Sequence, residues 1–381
     1  GYVDPMKGYS WGSSNGTVLN PEYAGKYEYS TGNPVVTWEK KESYNLGLDL
    51  KFFSDRLSFT GDIFQDKRDN ILTKLETVSA VVGMNASTLP PVNIGRMSNK
   101  GFEIELGWDD AIGRDFHYHI GGNLSYAVNK IEYMAEPSYE YEWMNTTGFA
   151  YGQYKGLYNE GFYNTAEEVA NHPYNDIDAN KVQGGDLRIV DINGDGMIDA
   201  KDNVPIGFSN IPRCTFSADI FLAYKGFSVA LLFSGSRFGS FAMRDYLIVP
   251  FSQDQSTPLS YMTGRWTPER YAAGEKITYP RMVTNIATSQ NNESNSFWLR
   301  STNHLKLKNV EVSYNFASLK ALRKANIESL RVFFNANNLF TWADEGLIDG
   351  IDPELTNDSM TNRGLIYPLT RVYNFGVSIV F

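Results

Sequence analysis

Segment 191–202 has the residue types and the spacing of a calcium-binding loop. Calcium prefers several oxygen ligands, which an EF-hand loop supplies from alternating positions around a glycine that makes a sharp turn. Here the first three ligand positions alternate before Gly196, the methionine would use its carbonyl oxygen, and the last aspartate would close the loop. The ligands that this spacing predicts for a structural Ca²⁺ ion are Asp191, Asn193, Asp195, Met197, Asp199 and Asp202.

A loop that binds no metal is the alternative. An EF-hand ends on a glutamate that binds calcium with both oxygens, whereas Asp202 has a shorter side chain. The segment also lacks flanking helical patterns, and an acidic, glycine-rich surface turn has the same composition. If calcium binds, its role is structural, because no neighbouring residue suits the activation of water.

Other residues that could do chemistry are sparse. His117 and His119 share one face of a strand, but no third metal ligand can be placed beside them. Polar strand residues next to Glu103 and Glu105 are the better interpretation of this pair. The sequence contains no nucleophile elbow, phosphate-binding glycine loop, zinc-protease motif or pair of catalytic carboxylates. We therefore predict that the protein is not an enzyme.

Segment 133–163 is rich in aromatic rings. They include Tyr139, Tyr141, Trp143, Phe149, Tyr151, Tyr154, Tyr158, Phe162 and Tyr163. Such rings stack on sugars or pack against a protein partner, since they combine a large contact area with a polar group. Packing within the loop and placement at a membrane interface agree equally well with the pattern. The sequence therefore assigns no substrate residue here.

Composition narrows the class of protein. The net charge of −10 argues against nucleic-acid binding, which needs a basic surface that displaces counterions. Cys214 is the only cysteine, which excludes an intrachain disulfide and a thiolate metal cluster. No apolar run approaches the ~18 residues of a membrane-spanning helix. An aromatic share of 14% beside 33 glycines favours strands and turns.

Alternation of apolar and polar residues organises the chain. Tyr44, Leu46 and Leu48 stand between polar or small neighbours, and the pattern resumes at Leu57 after a short turn. This alternation predicts a hairpin, and further hairpins follow around 102–126 and 214–233. More strands are predicted near 305–316, 330–336 and 369–381. Near Lys308 the alternation shifts by one residue, which predicts a β-bulge.

Long segments without periodicity separate these hairpins, at about 71–98, 134–210, 242–295 and 343–368. An outer-membrane β-barrel has this asymmetry of short periplasmic turns and long extracellular loops. Loops of this length are uncommon in compact soluble domains. The chain holds about nine strands of membrane-spanning length. Further strands are expected upstream in a longer chain, because an open sheet would leave its edges unpaired in lipid.

An ordered set of short motifs resembles SusC-like TonB-dependent transporters. The motifs span nearly the whole chain and are NP at 33–34, WE at 38–39, YNLGLD at 44–49, DRLS at 55–58, NKGFE at 99–103, DINGDG at 191–196, LKLKN at 305–309, NANNLFTW at 335–342 and the terminal Phe381. The resemblance implies an all-β fold, a transmembrane antiparallel β-barrel of ~22 strands with a plugged lumen. Residues 1–381 would form its C-terminal portion, while the N-terminal plug domain and the remaining strands are not in this chain.

The same resemblance implies partners and a function. A SusD-like surface lipoprotein would cover the extracellular loops, a TonB complex would act through the plug, and outer-membrane lipid would surround the barrel. The N-terminal plug and barrel segment of the same transporter would complete the structure. The implied function is active import of oligosaccharides or oligopeptides across the outer membrane of a Gram-negative bacterium. Phe381 resembles the terminal aromatic residue that barrel-assembly machinery recognises.

A secreted all-β protein with a calcium loop, acting in adhesion or glycan binding, is the alternative hypothesis. A glycan-degrading enzyme is a third, but it predicts paired carboxylates in a cleft, which the sequence does not offer. The alternation of short turns with long loops, together with Phe381, favours the barrel.

Overall fold

The computed structural model describes residues 33–75, 89–177, 181–251, 257–283, 290–316, 326–344, 351–355 and 367–381, as well as Leu322 and the backbone of the short strands Tyr2–Val3 and Glu28–Ser30. No helix in these ranges is long and apolar enough to cross a membrane.

One large sheet contains nine strands, and its neighbours follow chain order. The strands are β1 (Lys40–Phe52), β2 (Leu57–Thr73), β3 (Val92–Ile112), β4 (Phe116–Tyr133), β5 (Cys214–Tyr224), β6 (Phe227–Arg237), β7 (His304–Asn315), β8 (Ser329–Ala343) and β9 (Val372–Val380). Every pairing from β4 to β9 is antiparallel. The predicted hairpins and the predicted number of strands are therefore confirmed.

Tight turns connect the hairpins at one end of the sheet. Tyr224 pairs with Phe227 across a turn of only two residues. Both of these, Lys225 and Gly226, have positive φ angles, of 47° and 89°. Two-residue turns of this kind match the right-handed twist of the flanking strands. The short connections predicted from the alternation are thus present.

The predicted β-bulge is also confirmed. The β6–β7 register shifts between Leu232 and Phe233, and the β7–β8 register shifts between Leu307 and Asn309. Against β6 the extra residue is Lys308, whereas against β8 this single residue faces two, Asn338 and Leu339. A bulge adds one residue to a strand and changes which face the following side chains occupy. It accounts for the shift of the apolar pattern from Leu305 and Leu307 to Val310 and Val312.

Gly101 in the NKGFE motif occupies a position without room for a side chain. A Cβ atom there would lie 2.2 Å from the carbonyl oxygen of Tyr126 and 2.9 Å from Cα of Ala127. Both are backbone atoms, so neither can move aside as a flexible side chain would. Glycine is thus required for the close approach of these two chain segments.

The long segments between hairpins differ from the prediction, because they contain regular structure. Their strands are Gln153–Gly156, Asn159–Phe162, Tyr174–Asn175, Leu187–Ile189, Met197–Ile198, Val204–Ser209, Ser240–Ala242 and Leu299–Ser301. Their helices are α1 (Ala166–Ala170), α2 (Pro268–Ala272) and the 3₁₀ helices Glu142–Met144, Ala200–Asp202, Asp245–Leu247, Ser260–Gly264, Gln290–Asn292, Ser296–Trp298 and Pro353–Leu355. Elements this short are hidden from sequence reasoning, since periodicity needs a longer window.

The described residues of two of these segments, 150–210 and 240–301, build one hydrophobic core, and we call these described residues together the loop body. The buried residues of this core are Leu157, Leu187, Ile189, Ile198, Phe241, Met243, Leu247, Ile248, Met262, Tyr279 and Trp298. The Tyr279 hydroxyl donates a hydrogen bond to the Ile248 carbonyl oxygen at 2.6 Å. Burial raises the pKa of Tyr279 well above its ordinary value, so the hydroxyl stays a donor.

Buried polar side chains join the two halves of the loop body. Asp186 is 1% exposed and lies 2.6 Å from Nε of Arg281. Asp186 also accepts hydrogen bonds from the Gln183 amide at 2.8 Å and from Nδ2 of Asn291 at 2.8 Å. The Leu187 amide in turn donates to Asn291 Oδ1 at 2.8 Å. A buried charge is tolerated when it is paired and hydrogen-bonded in this way.

The chain divides into two compact units. The first is Gly1–Tyr44, Gln65–Lys100 and Asn129–Phe149, and the second is Asn45–Phe64, Gly101–Val128 and Ala150–Phe381, which includes the loop body. Within the first unit, Nδ2 of Asn33 donates to the Pro91 carbonyl oxygen at 2.9 Å. The Glu136 carboxylate accepts hydrogen bonds from the amides of Thr146 and Thr147 at 2.6 and 2.8 Å.

Candidate functional site: the two faces of the sheet and the loop body

One face of the sheet is apolar and exposed. The exposed apolar side chains include Tyr44, Leu46, Leu48, Phe102, Leu106, Ile120, Leu124, Val332, Tyr373, Phe375, Val377 and Ile379. They recur at every second position of the strands, so they project to the same side. Exposure of this many large apolar side chains on one surface indicates contact with a non-aqueous medium or with another protein.

Aromatic residues form a belt at each end of this apolar face. Beside the tight turns, Phe116 packs on Tyr224 with ring centroids 6.5 Å apart, and Tyr314 packs on Phe316 at 4.6 Å. At the opposite end, the Phe102 and Tyr126 rings stack at 5.8 Å, Tyr126 meets Phe238 at 6.3 Å, and Phe340 stacks on Trp342 at 5.9 Å. Two aromatic belts that flank an apolar band are typical of β-barrels in membranes.

The other face of the sheet is polar, and its side chains hydrogen-bond to one another across the strands. Ser125 donates to Glu103 at 3.0 Å. Asn309 donates to Asn337 at 2.7 Å, and Asn374 donates to Asn335 at 2.8 Å. Amide and carboxylate groups thus line this face in preformed pairs, which makes it a hydrophilic surface.

His119 is held between two aspartates of the polar face. Its Nδ1 lies 2.8 Å from Asp109 and its Nε2 lies 3.0 Å from Asp219. His117 lies two positions away on the strand, opposite Ala223 in the register. Within the described ranges, no three His, Cys, Asp or Glu side chains are placed to hold one metal ion.

A buried cation on the polar face fixes part of the segment that follows β8. Lys306 is fully buried, and its Nζ lies 2.6 and 2.5 Å from the two carboxylate oxygens of Asp352. The same Nζ lies 3.1 Å from Glu354, which also accepts from Lys308 at 3.1 Å and from Ser234 at 3.3 Å. We call residues 351–355 the docked segment. Its Ile351 packs against the loop-body core.

Sequence reasoning missed this cluster. The alternating lysines of the LKLKN motif were a usable signal, because Lys306 falls on the polar side of an otherwise apolar pattern. Its partners follow 46 and 48 residues later. No local pattern connects the LKLKN motif with Asp352 and Glu354, so the sequence indicates an inward-facing lysine but not its burial or its partners.

The six predicted calcium ligands lie on one tight loop of the loop body. Asp191 accepts hydrogen bonds from the amides of Gly194 and Gly196, both at 2.7 Å. Gly196 has φ +83°, the left-handed conformation expected at the sharp turn of such a loop. Asn193 donates from Nδ2 to Asp195 at 2.9 Å. The loop is therefore closed by its own hydrogen bonds.

Asp202 anchors the far end of this loop. Its side chain is fully buried and accepts from the amides of Ile192 at 2.8 Å and Asp199 at 2.9 Å. Asp199 caps the 3₁₀ helix Ala200–Asp202, accepting from the Lys201 amide at 2.7 Å. Met197 begins the strand Met197–Ile198, which pairs with Tyr174–Asn175. The oxygen-rich donor set suits calcium, but the carboxylates point to backbone amides rather than to one common centre.

The aromatic segment 133–163 divides between surface and core. Tyr141 and Trp143 stack face to face, with centroids 4.5 Å apart and planes inclined by 10°. Tyr151 and Tyr158 are about half exposed, at 55% and 50%. Tyr163 is buried, and Phe162 packs against the loop-body core. Of the interpretations left open by the sequence, contact with a sugar or a protein partner and packing within the loop each have residues that fit them, and placement at a membrane interface stays untested.

Comparison with known proteins decides the family. The family model for the β-barrel of TonB-dependent receptor-like proteins matches residues 6–339. The chain belongs to the TonB-dependent receptor β-barrel family. It is 25% identical over 370 residues to TonB-dependent receptor P26 of Formosa agariphila, covering 92% of this chain and 35% of that receptor. It is 22% identical over 393 residues to TonB-dependent receptor SusC of Bacteroides thetaiotaomicron, covering 96% of this chain and 35% of SusC.

Solved structures agree on the fold. The RagAB peptide transporter superposes with a TM-score of 0.67 at 20% identity, covering 94% of this chain and 37% of the transporter chain. The "open-open" state of the RagAB peptide importer gives the same TM-score at 19% identity, covering 95% of this chain and 37% of that chain. The predicted SusC-like family and the predicted β-barrel fold are confirmed. The chain spans about a third of the length of the relatives it matches.

Membership of the TonB-dependent receptor family settles two further predictions. These receptor barrels lie in the outer membrane, so the predicted location is confirmed and the secreted alternative is wrong. The relatives are receptors rather than enzymes, which confirms the prediction that the chain is not an enzyme.

The membrane location assigns the two faces of this TonB-dependent receptor barrel. The apolar face contacts lipid, and the polar face lines the lumen. The tight turns are periplasmic, and the loop body is extracellular. β5 has 11 residues from Cys214 to Tyr224. At ~3.3 Å per residue and a tilt of ~40° it rises roughly 25 Å, the height of the apolar band of such barrels. The two aromatic belts therefore mark the two membrane interfaces.

Proposed function

We propose that the protein containing this chain imports oligosaccharides or oligopeptides across the outer membrane, and that this chain supplies the C-terminal wall of its barrel. The observation that carries the proposal is the sheet with two unlike faces, one apolar between aromatic belts and one lined by hydrogen-bonded polar groups. A wall of this kind passes hydrated molecules through lipid, because its polar groups replace part of their hydration.

The cargo class follows from what the polar face and the loop body offer. Asn309, Asn337, Asn335 and Asn374 present amide groups, which donate and accept hydrogen bonds without a net charge. Exposed rings such as Tyr151 and Tyr158 offer flat apolar area with a hydroxyl. Neutral, polar, oligomeric cargo such as glycans or peptides matches both kinds of group better than a metal chelate or a lipid does.

The remaining components are part of the same proposal. A SusD-like surface lipoprotein would cover the extracellular loops, and TonB would supply energy through the plug domain of the complete protein. The loop body favours the proposal of a lipoprotein partner. Its hydrophobic core gives the loop body a fixed surface on which a partner can dock. A loop without a core would have to be ordered at the moment of binding, at a cost in affinity.

Uptake in living cells tests the proposal. We expect a strain that lacks the complete gene to lose uptake of one labelled class, either oligosaccharides or oligopeptides, and to regain it on complementation. A strain without TonB should show the same loss, and the native protein should co-purify with a surface lipoprotein. Unchanged uptake of both classes in the deletion strain would overturn the import function. If the protein purifies as a monomer without a lipoprotein, only the proposed SusD-like partner is eliminated.

We also propose that the loop 191–202 binds one structural Ca²⁺ ion through Asp191, Asn193, Asp195, Met197, Asp199 and Asp202. The donor chemistry and the left-handed Gly196 support it. Binding would need these carboxylates to exchange backbone amides for the ion, since all four aspartates now accept such bonds: Asp191, Asp195, Asp199 and Asp202.

Metal content tests the calcium proposal. The complete protein, purified without chelator, should contain one calcium ion that Asp195→Ala removes. Asp115→Ala, a similar loss of charge at a periplasmic turn, should leave the calcium content unchanged. A protein without calcium, whose thermal unfolding is insensitive to added Ca²⁺ and to chelator, would eliminate the site.

A further inference from the structure

A pocket opens in the loop body beside the paired strands Asn159–Phe162 and Leu187–Ile189. In this pair Arg188 stands opposite two residues, Glu160 and Gly161, which is a β-bulge. The neighbours of Arg188 on either side are buried in the loop-body core. Because successive side chains of a strand point to opposite faces, Arg188 points away from the core and into the pocket.

The pocket has the size of a small-molecule binding site. Its volume is about 460 Å³, and such sites typically enclose roughly 300–1,000 Å³. One wall is the strand pair, with Glu160 and Arg188, and the other is α1 with the residues that flank it. Tyr163 also lines the pocket, is buried, and packs edge to face on His172 with ring centroids 6.0 Å apart. Regular elements therefore form the pocket, and its shape does not depend on a ligand.

Glu168 fixes the α1 wall against the strand wall. Its Oε2 accepts hydrogen bonds from the amides of Asn164 at 2.6 Å and Thr165 at 3.1 Å. Its Oε1 lies 3.6 Å from Nη1 of Arg188. The capping bonds hold this carboxylate in place, so it attracts the guanidinium before any ligand binds.

The Arg188 guanidinium keeps unused hydrogen-bonding capacity. Its Nη2 lies 3.7 Å from Oε2 of Glu160, and both this contact and the one with Glu168 are longer than a hydrogen bond. Its Nε has no hydrogen-bond partner in the described part of the chain. A ligand hydroxyl between Glu160 and Arg188 would accept from the guanidinium and donate to the carboxylate. A charged ligand group would do only one of the two, because an ammonium accepts no hydrogen bond and a carboxylate donates none.

Tyr158 adds an exposed ring at the edge of the pocket. The Val190 amide donates to the Tyr158 carbonyl oxygen at 3.0 Å, which continues the strand pair by one residue. Val190 lines the pocket and lies two positions from Arg188, so Tyr158, opposite Val190, projects to the same face. Tyr158 is 50% exposed. A sugar ring offers hydroxyls at its rim and an apolar face of C–H groups, which match the polar pair and the aromatic ring respectively.

We propose that this pocket binds one unit of a neutral oligosaccharide. Glu160 and Arg188 share a hydroxyl of the sugar, and Tyr158 stacks on the sugar ring. Since the loop body is extracellular, the pocket captures cargo before the cargo enters the barrel. That role rests on the import function proposed above, whereas sugar binding itself does not.

Calorimetric titration of the complete protein in detergent tests the pocket, with maltohexaose, cellohexaose, xylohexaose and mannohexaose as probes. We expect at least one of these sugars to bind, and the double variant Tyr158→Ala, Arg188→Ala to bind it at least tenfold more weakly. The matched control is Arg270→Ala, Tyr271→Ala, on α2 of the loop body. The Arg270 side chain pairs with Glu275 at 3.3 Å and is 37% exposed, compared with 39% for Arg188, and Tyr271 is 47% exposed. The control should bind like the unmodified protein.

A second variant, Glu160→Gln, guards against misfolding. It keeps the size of the side chain and replaces a charged acceptor with a neutral one, so it should weaken binding by roughly threefold or more while thermal unfolding stays unchanged.

Three outcomes would overturn the proposal. None of the four sugars binds, or the double variant binds as tightly as its control. In the third outcome the hexapeptide Gly-Ser-Gly-Ser-Gly-Ser binds and loses its binding in the double variant, while no sugar does so, which would make the pocket a peptide site. Uptake without sugar binding at the pocket eliminates the pocket alone, and sugar binding without uptake eliminates only its role in capture.

Discussion

Replacing Lys306 with methionine is expected to release the docked segment from the luminal wall. The substitution leaves Asp352 and Glu354 beside the wall without their shared cation, and the Asp352 side chain is only 12% exposed. Removing one partner of a buried ion pair costs about 3–5 kcal/mol, because the remaining charge stays desolvated. We therefore expect hydrogen exchange of the amides in 351–355 to rise by about two orders of magnitude or more.

Lys308→Met is the matched control for this experiment. Lys308 contacts Glu354 at 3.1 Å, but its side chain is 44% exposed. Exposed ion pairs contribute only about 0–1 kcal/mol, so exchange in the docked segment should change little. Equal effects of the two variants would show that burial of Lys306 is not what holds the segment. Protection in β7 should stay unchanged in both variants.

Acid should weaken the same contact. Burial raises the pKa of Glu354, but the hydrogen bonds and charges of Lys308 and Lys306 outweigh burial and hold the pKa below its ordinary value. A carboxylate with a lowered pKa in the folded protein stabilises the fold at neutral pH. That contribution is lost as the pH falls below the ordinary glutamate range and through the lowered pKa.

The second large effect is expected from Asp202→Ala. Asp202 is fully buried and accepts from the amides of Ile192 at 2.8 Å, Asn193 at 3.4 Å and Asp199 at 2.9 Å. A buried donor left without a partner costs about 1–3 kcal/mol. These amides are partly buried, so the loop should lose roughly 1–3 kcal/mol of local stability. Limited proteolysis of the complete protein should then cut within 191–202.

Measuring Asp202→Ala in the presence of a chelator separates this role from calcium binding. Asp195→Ala is the control, because Asp195 lies on the exposed part of the same loop. Without calcium, the Asp195 variant should resist protease like the unmodified protein while the Asp202 variant is cut. If both variants resist the protease, the hydrogen bonds of Asp202 do not hold the loop.

The strands were predictable because alternation acts over a long window. The first six residues of β5, CTFSAD at 214–219, alternate apolar and polar positions, and this period of two specifies both the strand and its faces. The bulge at Lys308 was visible for the same reason, since one extra residue inverts the pattern beyond it. The membrane imposes this regularity, because every strand has to present an apolar face to lipid.

The loop body was not predictable, and the reason is physical. Its strands are two to six residues long, and its core joins residues as distant as Leu157 and Trp298. The side chains that join the halves, such as Asp186 and Arg281, are polar, and in a sequence they look like surface residues. The calcium loop shows the opposite case: its spacing is readable, but whether it holds a metal stays a prediction.

The two extracellular segments of the loop body share one hydrophobic core. Leu187 and Ile198 come from one segment, Met262 and Trp298 from the other, and all four meet in one core. Replacing one segment alone with the corresponding segment of a relative would disrupt the core, because the new side chains would pack against a core shaped for different ones. Chimaeric receptors have to exchange 150–210 and 240–301 as a pair, and natural diversification of this surface has to proceed by coordinated substitution rather than loop by loop.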